Sequence, residues 1–224
     1  MHPTLLRRVL TALVVMAFIV PAAQWSRTSG ETDPAPVASA AGTGDAASWT
    51  FMVYLDADNN LEDAGVEDLN EMETVGSTDE VNIVVQMDRH AEYDTTNGDW
   101  TGARRYLVEA DDDTSNIGSA ELEDLGEVNM GDPDTLTEFI LWSVDNYPAK
   151  NYILVLWDHG GAFRGACWDE DPGGELESGE EEDWLSMDDM SLALDDAVTA
   201  MGPRLDIVGF DACLMAEMAV LHQI

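Results

Sequence analysis

The chain has 224 residues, 45% of them hydrophobic, which suffices for one domain with a real core plus tails. Its 46 acidic residues face 9 basic ones, with Lys150 the single lysine, for a net charge of −37. Such a surface repels nucleic acid and anionic lipid, which argues against both as partners, and it suits solvation in concentrated salt, the pattern of a halophile.

In chain order, the first 23 residues read as an export signal. Arg7-Arg8 precede a twelve-residue apolar core, Val9 to Val20, and Pro21-Ala22-Ala23 supplies small residues for cleavage. The paired arginines hint at twin-arginine export. The apolar core is short for a membrane span of about 20 residues, so an uncleaved anchor is the second choice. Residues 24–48, rich in Ala, Ser, Gly, Thr and Pro without periodicity, read as a disordered linker or propeptide.

From Trp49 onward strand and helix signals alternate. "WTFMVYLDA" predicts a buried strand and "NLEDAGVEDLNEMETV" a helix, followed by a second strand over Val81–Asp88. "ARRYLVEAD" and "AELEDLGEVNM" predict shorter strands around the acidic turn Asp111-Asp112-Asp113. Asp132-Pro133 opens a helix whose apolar stripe is Leu136, Phe139, Ile140 and Val144. A third strand spans Asn151–Asp158, an acidic Gly-rich loop runs from Ala162 to about Trp184, and a helix follows from about Ser186 to Met201. A last strand ends at Asp211, and the pattern after Cys213 looks helical. Near-continuous apolar strands alternating with helices predict an α/β fold with a mostly parallel sheet covered on both faces.

In such sheets ligands bind beyond the carboxyl ends of the strands. Four of these ends are polar: Asp56 to Asn60, Asp88-Arg89-His90, Asp158-His159-Gly160-Gly161 and Asp211-Ala212-Cys213. A thiol becomes a nucleophile as the thiolate, which a neighbouring imidazole and a helix N-terminus both favour, so Cys213 and His159 form the sharpest pair. The glycines after His159 leave backbone N–H groups open to a developing oxyanion. His90 lacks such glycines and reads as a surface histidine. On residue types alone, a buried structural cysteine and a turn histidine fit equally well. Two cysteines in an exported chain form a single disulfide by default, but a bridge from Cys167 to Cys213 would consume the nucleophile, so Cys167 is expected to be unbridged.

The segments "YLDADNNLE", "VVQMDR", "NGDWTGARRYLV", "MGDPDTLTEFILWSVDNYPA", "LVLWDHGGAF" and "DIVGFDACLM" together resemble the clostripain family of cysteine peptidases, which has a caspase-like α/β fold in common with caspases, gingipains and legumains. The resemblance covers residues 49–224, which it marks as the peptidase domain. It implies His159 as general base and acid, Cys213 as nucleophile, and the N–H groups of Gly160 and Cys213 as oxyanion hole. The 54 residues from His159 to Cys213 compare with roughly 50 in the related caspases. It further implies Asp211 as the carboxylate of a specificity pocket for Arg or Lys.

The chemistry requires no cofactor. Asp56, Asp58, Asn60 and Glu67 match positions 1, 3, 5 and 12 of a helical-hand calcium loop. Leu61, however, stands where that loop needs Gly, and a strand precedes it. Clostripain itself depends on calcium, so calcium binding stays open with no ligands assigned and no metal site named. The acidic loop from Arg164 to Trp184 carries one basic residue, Arg164, which argues against self-activation by a cut there at Arg or Lys. Eleven residues follow Cys213, whereas caspase-like domains continue with further strands, so the domain is expected to be incomplete at its C-terminus. The expected function is a secreted or cell-surface endopeptidase acting on protein or peptide substrates with basic residues. Two other readings are an inactive binding module on the same fold, and a metal-dependent hydrolase using Asp56, Asp58, Asp88 and His159.

Overall fold

The computed structural model describes residues 46–174, 176, 182–202 and 205–224; the expected signal (1–23) and nearly all of the expected linker (24–48) lie outside them. Strand β1 (Ala47–Ala57) begins two residues ahead of Trp49 and is buried at every position from Met52 to Ala57. Its run of β-branched and aromatic residues suits a strand that must be apolar on both faces. Strand β2 (Val81–Arg89) pairs parallel with one side of β1, placing Asp56 opposite Asp88. Strand β5 (Ala149–Asp158) pairs parallel with the other side, placing Leu55 opposite Trp157.

Strand β8 (Ile207–Ala212) continues the parallel set beside β5, ending with Asp158 opposite Ala212. Beyond β2, strands β3 (Ala103–Leu107) and β4 (Glu121–Gly126) extend the sheet antiparallel, so its order is β4-β3-β2-β1-β5-β8. Because β3 and β4 each reverse direction, the carboxyl end of β4 returns to the edge where β1, β2, β5 and β8 end. The expected mostly parallel α/β sheet is therefore present, with β3 the one reversed strand among the described residues.

The period of two along each strand sends alternate side chains to opposite faces. Met52 and Tyr54 of β1 join Leu154 and Leu156 of β5 in one core, under helices α2 (Pro133–Asn146) and α3 (Met187–Met201). Val53 and Leu55 join Met87 and Trp157 in the other core, under helix α1 (Glu62–Glu73). Gly65 lets α1 approach closely: a Cβ there would stand 2.8 Å from Leu55 Cδ2 and 2.9 Å from Ala57 Cβ. Helix α2 starts as the sequence predicts, with the Asp132 side chain accepting from Asp134 N and Pro133 in the first turn. Ser186 and Asp189 form a reciprocal capping box at the start of α3.

Two expectations need correction. The acidic stretch after Ala162 contains an antiparallel hairpin, β6 (Ala166–Asp169) with β7 (Asp183–Leu185), where a loop is predicted. The chain after Cys213 turns rather than entering a helix, since Leu214 has φ +63° and the next helix, α4 (Val220–Gln223), is four residues long. No helix therefore begins at the Cys213 thiol, and that source of thiolate stabilisation is withdrawn. Among the described residues no helix is long and apolar enough to cross a membrane.

Candidate active site

The parallel register of β5 and β8 pairs Asp158 with Ala212, so His159 and Cys213 leave the sheet at the same level. Their backbones meet at Gly160. A Cβ on Gly160 would run into the Cys213 carbonyl oxygen and stand 2.9 Å from both the N and C atoms of Cys213. Only a residue without a side chain allows that approach. Cys213 is exposed with a free thiol; Cys167 is also free but buried, and burial pushes its thiol up. The default disulfide is thus absent.

His159 Nε2 lies 2.8 Å from Asn60 Oδ1. An amide oxygen only accepts, so Nε2 carries the proton and Nδ1 is left as the acceptor. Sequence reasoning misses Asn60 as the partner of the imidazole, because two adjacent asparagines follow Asp58 and nothing local distinguishes them. Asn59 folds back on the turn ahead of α1, where its Oδ1 accepts from Leu61 N at 2.9 Å. Its amide Nδ2 also donates to Asp158 Oδ1 at 2.9 Å and to the Trp168 carbonyl at 2.8 Å. The adjacent asparagines therefore divide the labour. One ties the ends of β1, β5 and β6 together, and the other reaches the imidazole.

Beneath His159, the Asp158 carboxyl is pushed up to about 7, chiefly by burial and against hydrogen bonds from Trp168 N, His159 N and Asn59. The turn after His159 is pinned to β6 by Cys167 N donating to the His159 carbonyl and Gly161 N donating to the Gly165 carbonyl at 2.8 Å. Gly161 N–H is therefore already engaged. Asp211 is exposed on β8 opposite Trp157. The clefts lined by Phe163, Arg164 and Met187, and by Phe210, Leu214 and Met215, do not include it.

His90 takes its own path: its Nδ1 accepts from Glu92 N at 3.1 Å, and its ring packs against Tyr93. The helical-hand calcium pattern does not form, because Glu67 is an exposed residue of α1 and Asn60 is committed to His159. His159 likewise does not join the aspartates that the metal-hydrolase reading groups with it. The carboxylates that do converge are Asp58, Asp88 and Glu127.

A sequence model of the clostripain family, peptidase family C11, matches residues 53–224. This chain belongs to the clostripain family. Clostripain of Hathewaya histolytica is 32% identical over 193 residues, a match covering 78% of this chain and 35% of clostripain. Two solved C11 structures have the same fold. One is a secreted C11 cysteine protease from Bacteroides thetaiotaomicron in complex with an irreversible peptide inhibitor, at 24% identity and a TM-score of 0.53, with 79% of this chain and 45% of that one covered. The other is an inactive zymogen C11 protease from Parabacteroides distasonis, at 21% identity and a TM-score of 0.54, with 80% and 46% covered. The clostripain-family chain described here thus spans about a third to a half of the length of these relatives.

Proposed function

We propose that this chain carries the catalytic dyad of an exported cysteine endopeptidase that hydrolyses peptide bonds after Arg or Lys. The observation that supports it most is the meeting of His159-Gly160 with Cys213 at the ends of β5 and β8, in a clostripain-family chain. The Cys213 thiol gives its proton to His159 Nδ1, and the thiolate attacks the substrate carbonyl carbon. The N–H groups of Gly160 and Cys213 take the oxyanion. The tetrahedral intermediate collapses as the imidazolium protonates the departing amine, leaving an acyl-enzyme. His159 then takes a proton from water, whose oxygen attacks the thioester; the acid departs as the imidazolium returns its proton to the Cys213 sulfur. Asn60 holds the Nε2–H tautomer throughout.

Asp211, on the exposed strand beside the dyad, is assigned to the basic side chain of the substrate, whose charge it would offset. The substrates are proteins or peptides with basic residues. Export is assigned from Arg7-Arg8 and the apolar segment Val9–Val20, with cleavage after Ala23, and the acidic composition assigns a saline medium. The test is turnover of an arginyl peptide reporter by the natural protein, its Cys213→Ala variant and its His159→Ala variant. Both variants are expected to lose activity to nearly the same extent, because the pair acts as a unit. Full activity in Cys213→Ala overturns the assignment, and equal turnover of arginyl and glutaminyl reporters overturns the specificity.

A further inference from the structure

The turn that carries His159 and Gly160 rests on the β6–β7 hairpin. Gly160 makes an antiparallel bridge with Ala166, and Cys167 N donates to the His159 carbonyl at 3.3 Å. One residue further, Trp168 N donates to the Asp158 carboxyl, and the Trp168 carbonyl accepts from Asn59 Nδ2 at 2.8 Å. The ladder of β6 is irregular between Ala166 and Trp168, and Cys167, between them, has φ +58°. Few residues other than glycine adopt that angle. A bulge of this kind beside an active site serves to re-aim a side chain, and the side chain that follows it is Trp168.

The indole lies against Gly161. A Cβ on Gly161 would stand 2.6 Å from Trp168 Cη2 and 3.4 Å from Cζ2, with Arg164 Cβ at 3.2 Å. Gly161 has φ −114°, outside the left-handed region that favours glycine. The backbone therefore does not demand glycine here; the indole does. Trp168 is itself held by Trp184, its partner across the hairpin, with ring centroids 6.0 Å apart and planes 13° from parallel. The far side of the hairpin is anchored ahead of α2. Asn129 Nδ2 donates to Asp183 Oδ2 at 2.7 Å, and Met130 N donates to Asp169 Oδ2 at 2.6 Å. A Cβ on Gly131 would stand 2.5 Å from Trp184 N, so the backbones touch there as well.

We infer that Trp168 is a positioning residue of the dyad: its indole, backed by Trp184, holds the His159–Gly161 turn where the imidazole and the Gly160 N–H face Cys213. This deepens the function proposed above and rests on it. The hydrogen bonds from Cys167 N to the His159 carbonyl and from Gly161 N to the Gly165 carbonyl tether the turn to β6. Two such bonds leave the turn free to rock about the line that joins them. The indole pressed on Gly161 blocks that motion from one side, and Asn60 on His159 Nε2 blocks it from the other. The hairpin thus acts as a wedge between the start of α2 and the catalytic turn. A shift of about 1 Å in that turn is enough to cost about 100-fold in rate.

The experiment uses the full chain in molar KCl and reads kcat and KM on an arginyl reporter, beside the rate at which iodoacetamide alkylates Cys213. Trp168→Ala should lower kcat at least about tenfold with KM within about threefold, because the indole acts on the turn and not on bound substrate. Alkylation should slow about tenfold, toward the rate in His159→Ala, since a displaced imidazole no longer favours the thiolate. Gly161→Ala should lower kcat in the same way by driving a methyl group into the indole. In the double variant Gly161→Ala/Trp168→Phe the smaller ring lacks the two atoms that the methyl meets, and kcat should recover at least about fivefold over Gly161→Ala alone. A merely structural tryptophan gives no such recovery, because two independent losses add. This pair decides the matter where Trp168→Ala does not fold. Alkylation needs no substrate, so a natural protein without turnover whose alkylation still depends on Trp168 refutes the peptidase reading alone. A folded Trp168→Ala protein with kcat and alkylation within about twofold of natural, or a double variant no better than Gly161→Ala, overturns the inference.

Discussion

Gly160→Ala tests the dyad with a single methyl group. The new Cβ would occupy the space of the Cys213 carbonyl oxygen and stand 2.9 Å from Cys213 N and C. Ordinary carbon contact begins near 3.5 Å, so those two atoms alone must retreat by about 0.6 Å, and the carbonyl oxygen by more. The strands cannot share that movement evenly, because β5 is held on its other side by β1, while among the described residues no strand lies beyond β8. Cys213 therefore yields, carrying its thiol and its N–H away from His159 and from the oxyanion position. A displacement approaching 1 Å in a positioned reaction costs on the order of 100-fold in rate, or about 2.7 kcal/mol of barrier. The assay is kcat/KM on an arginyl reporter beside the melting temperature, with Gly174→Ala, whose Cβ would meet nothing within 4 Å, as control. The loss should fall on kcat with melting within a few degrees of the natural protein. A Gly160→Ala enzyme within about twofold of the natural rate would refute the claim that this close approach sets the geometry of catalysis.

Asn60→Ala should lower kcat roughly tenfold and leave KM nearly unchanged, because it frees the imidazole tautomer without touching substrate; an unchanged kcat removes Asn60 from the site. Asp211→Asn should cut the preference for arginyl over glutaminyl reporters by at least about tenfold, and survival of that preference assigns selection to another residue. Iodoacetamide should modify one thiol in the native protein and two after unfolding, since Cys213 is exposed and Cys167 is fully buried; rapid loss of both native thiols contradicts that burial. Melting temperature should rise steeply between dilute and molar KCl as the net charge of −37 is screened, and a flat profile would undercut the saline assignment.

The strands are readable in the sequence where both faces are covered, because Met52–Leu55 and Tyr152–Trp157 must then be apolar without a break. The hairpin of β6 and β7 is not. Its strands are four and three residues long, and the chain between them is acidic and glycine-rich, so neither period nor propensity marks it. The stretch after Cys213 misleads for the opposite reason. Ala212, Met215, Ala216 and Val220 mimic a helical stripe, while the left-handed Leu214 that breaks it carries no local signal. His159, Gly160 and Cys213 can be found because each directly follows a strand or lies one residue further on. Glu127 cannot, since only the double reversal of β3 and β4 returns it to the edge where Asp58 and Asp88 lie. Asn59 and Asn60 are the same residue type side by side, and nothing but geometry tells the tether from the partner of the imidazole.

The placement of β1 at the middle of the sheet governs when the site can come into being. Its pairing with β2 joins Trp49 to Val81, a modest loop, whereas its pairing with β5 joins Trp49 to Asn151. The bond between Asn60 and His159 spans 99 positions. Contacts between distant positions form late, because the entropy of closing a long loop is lost before any contact repays it. The β1–α1–β2 unit can assemble early, bringing Asp58 and Asp88 together, while imidazole and thiol remain on separate unpaired segments. His159 and Cys213 come together only when β8 docks on β5, so the proposed dyad is absent from a chain that is still folding.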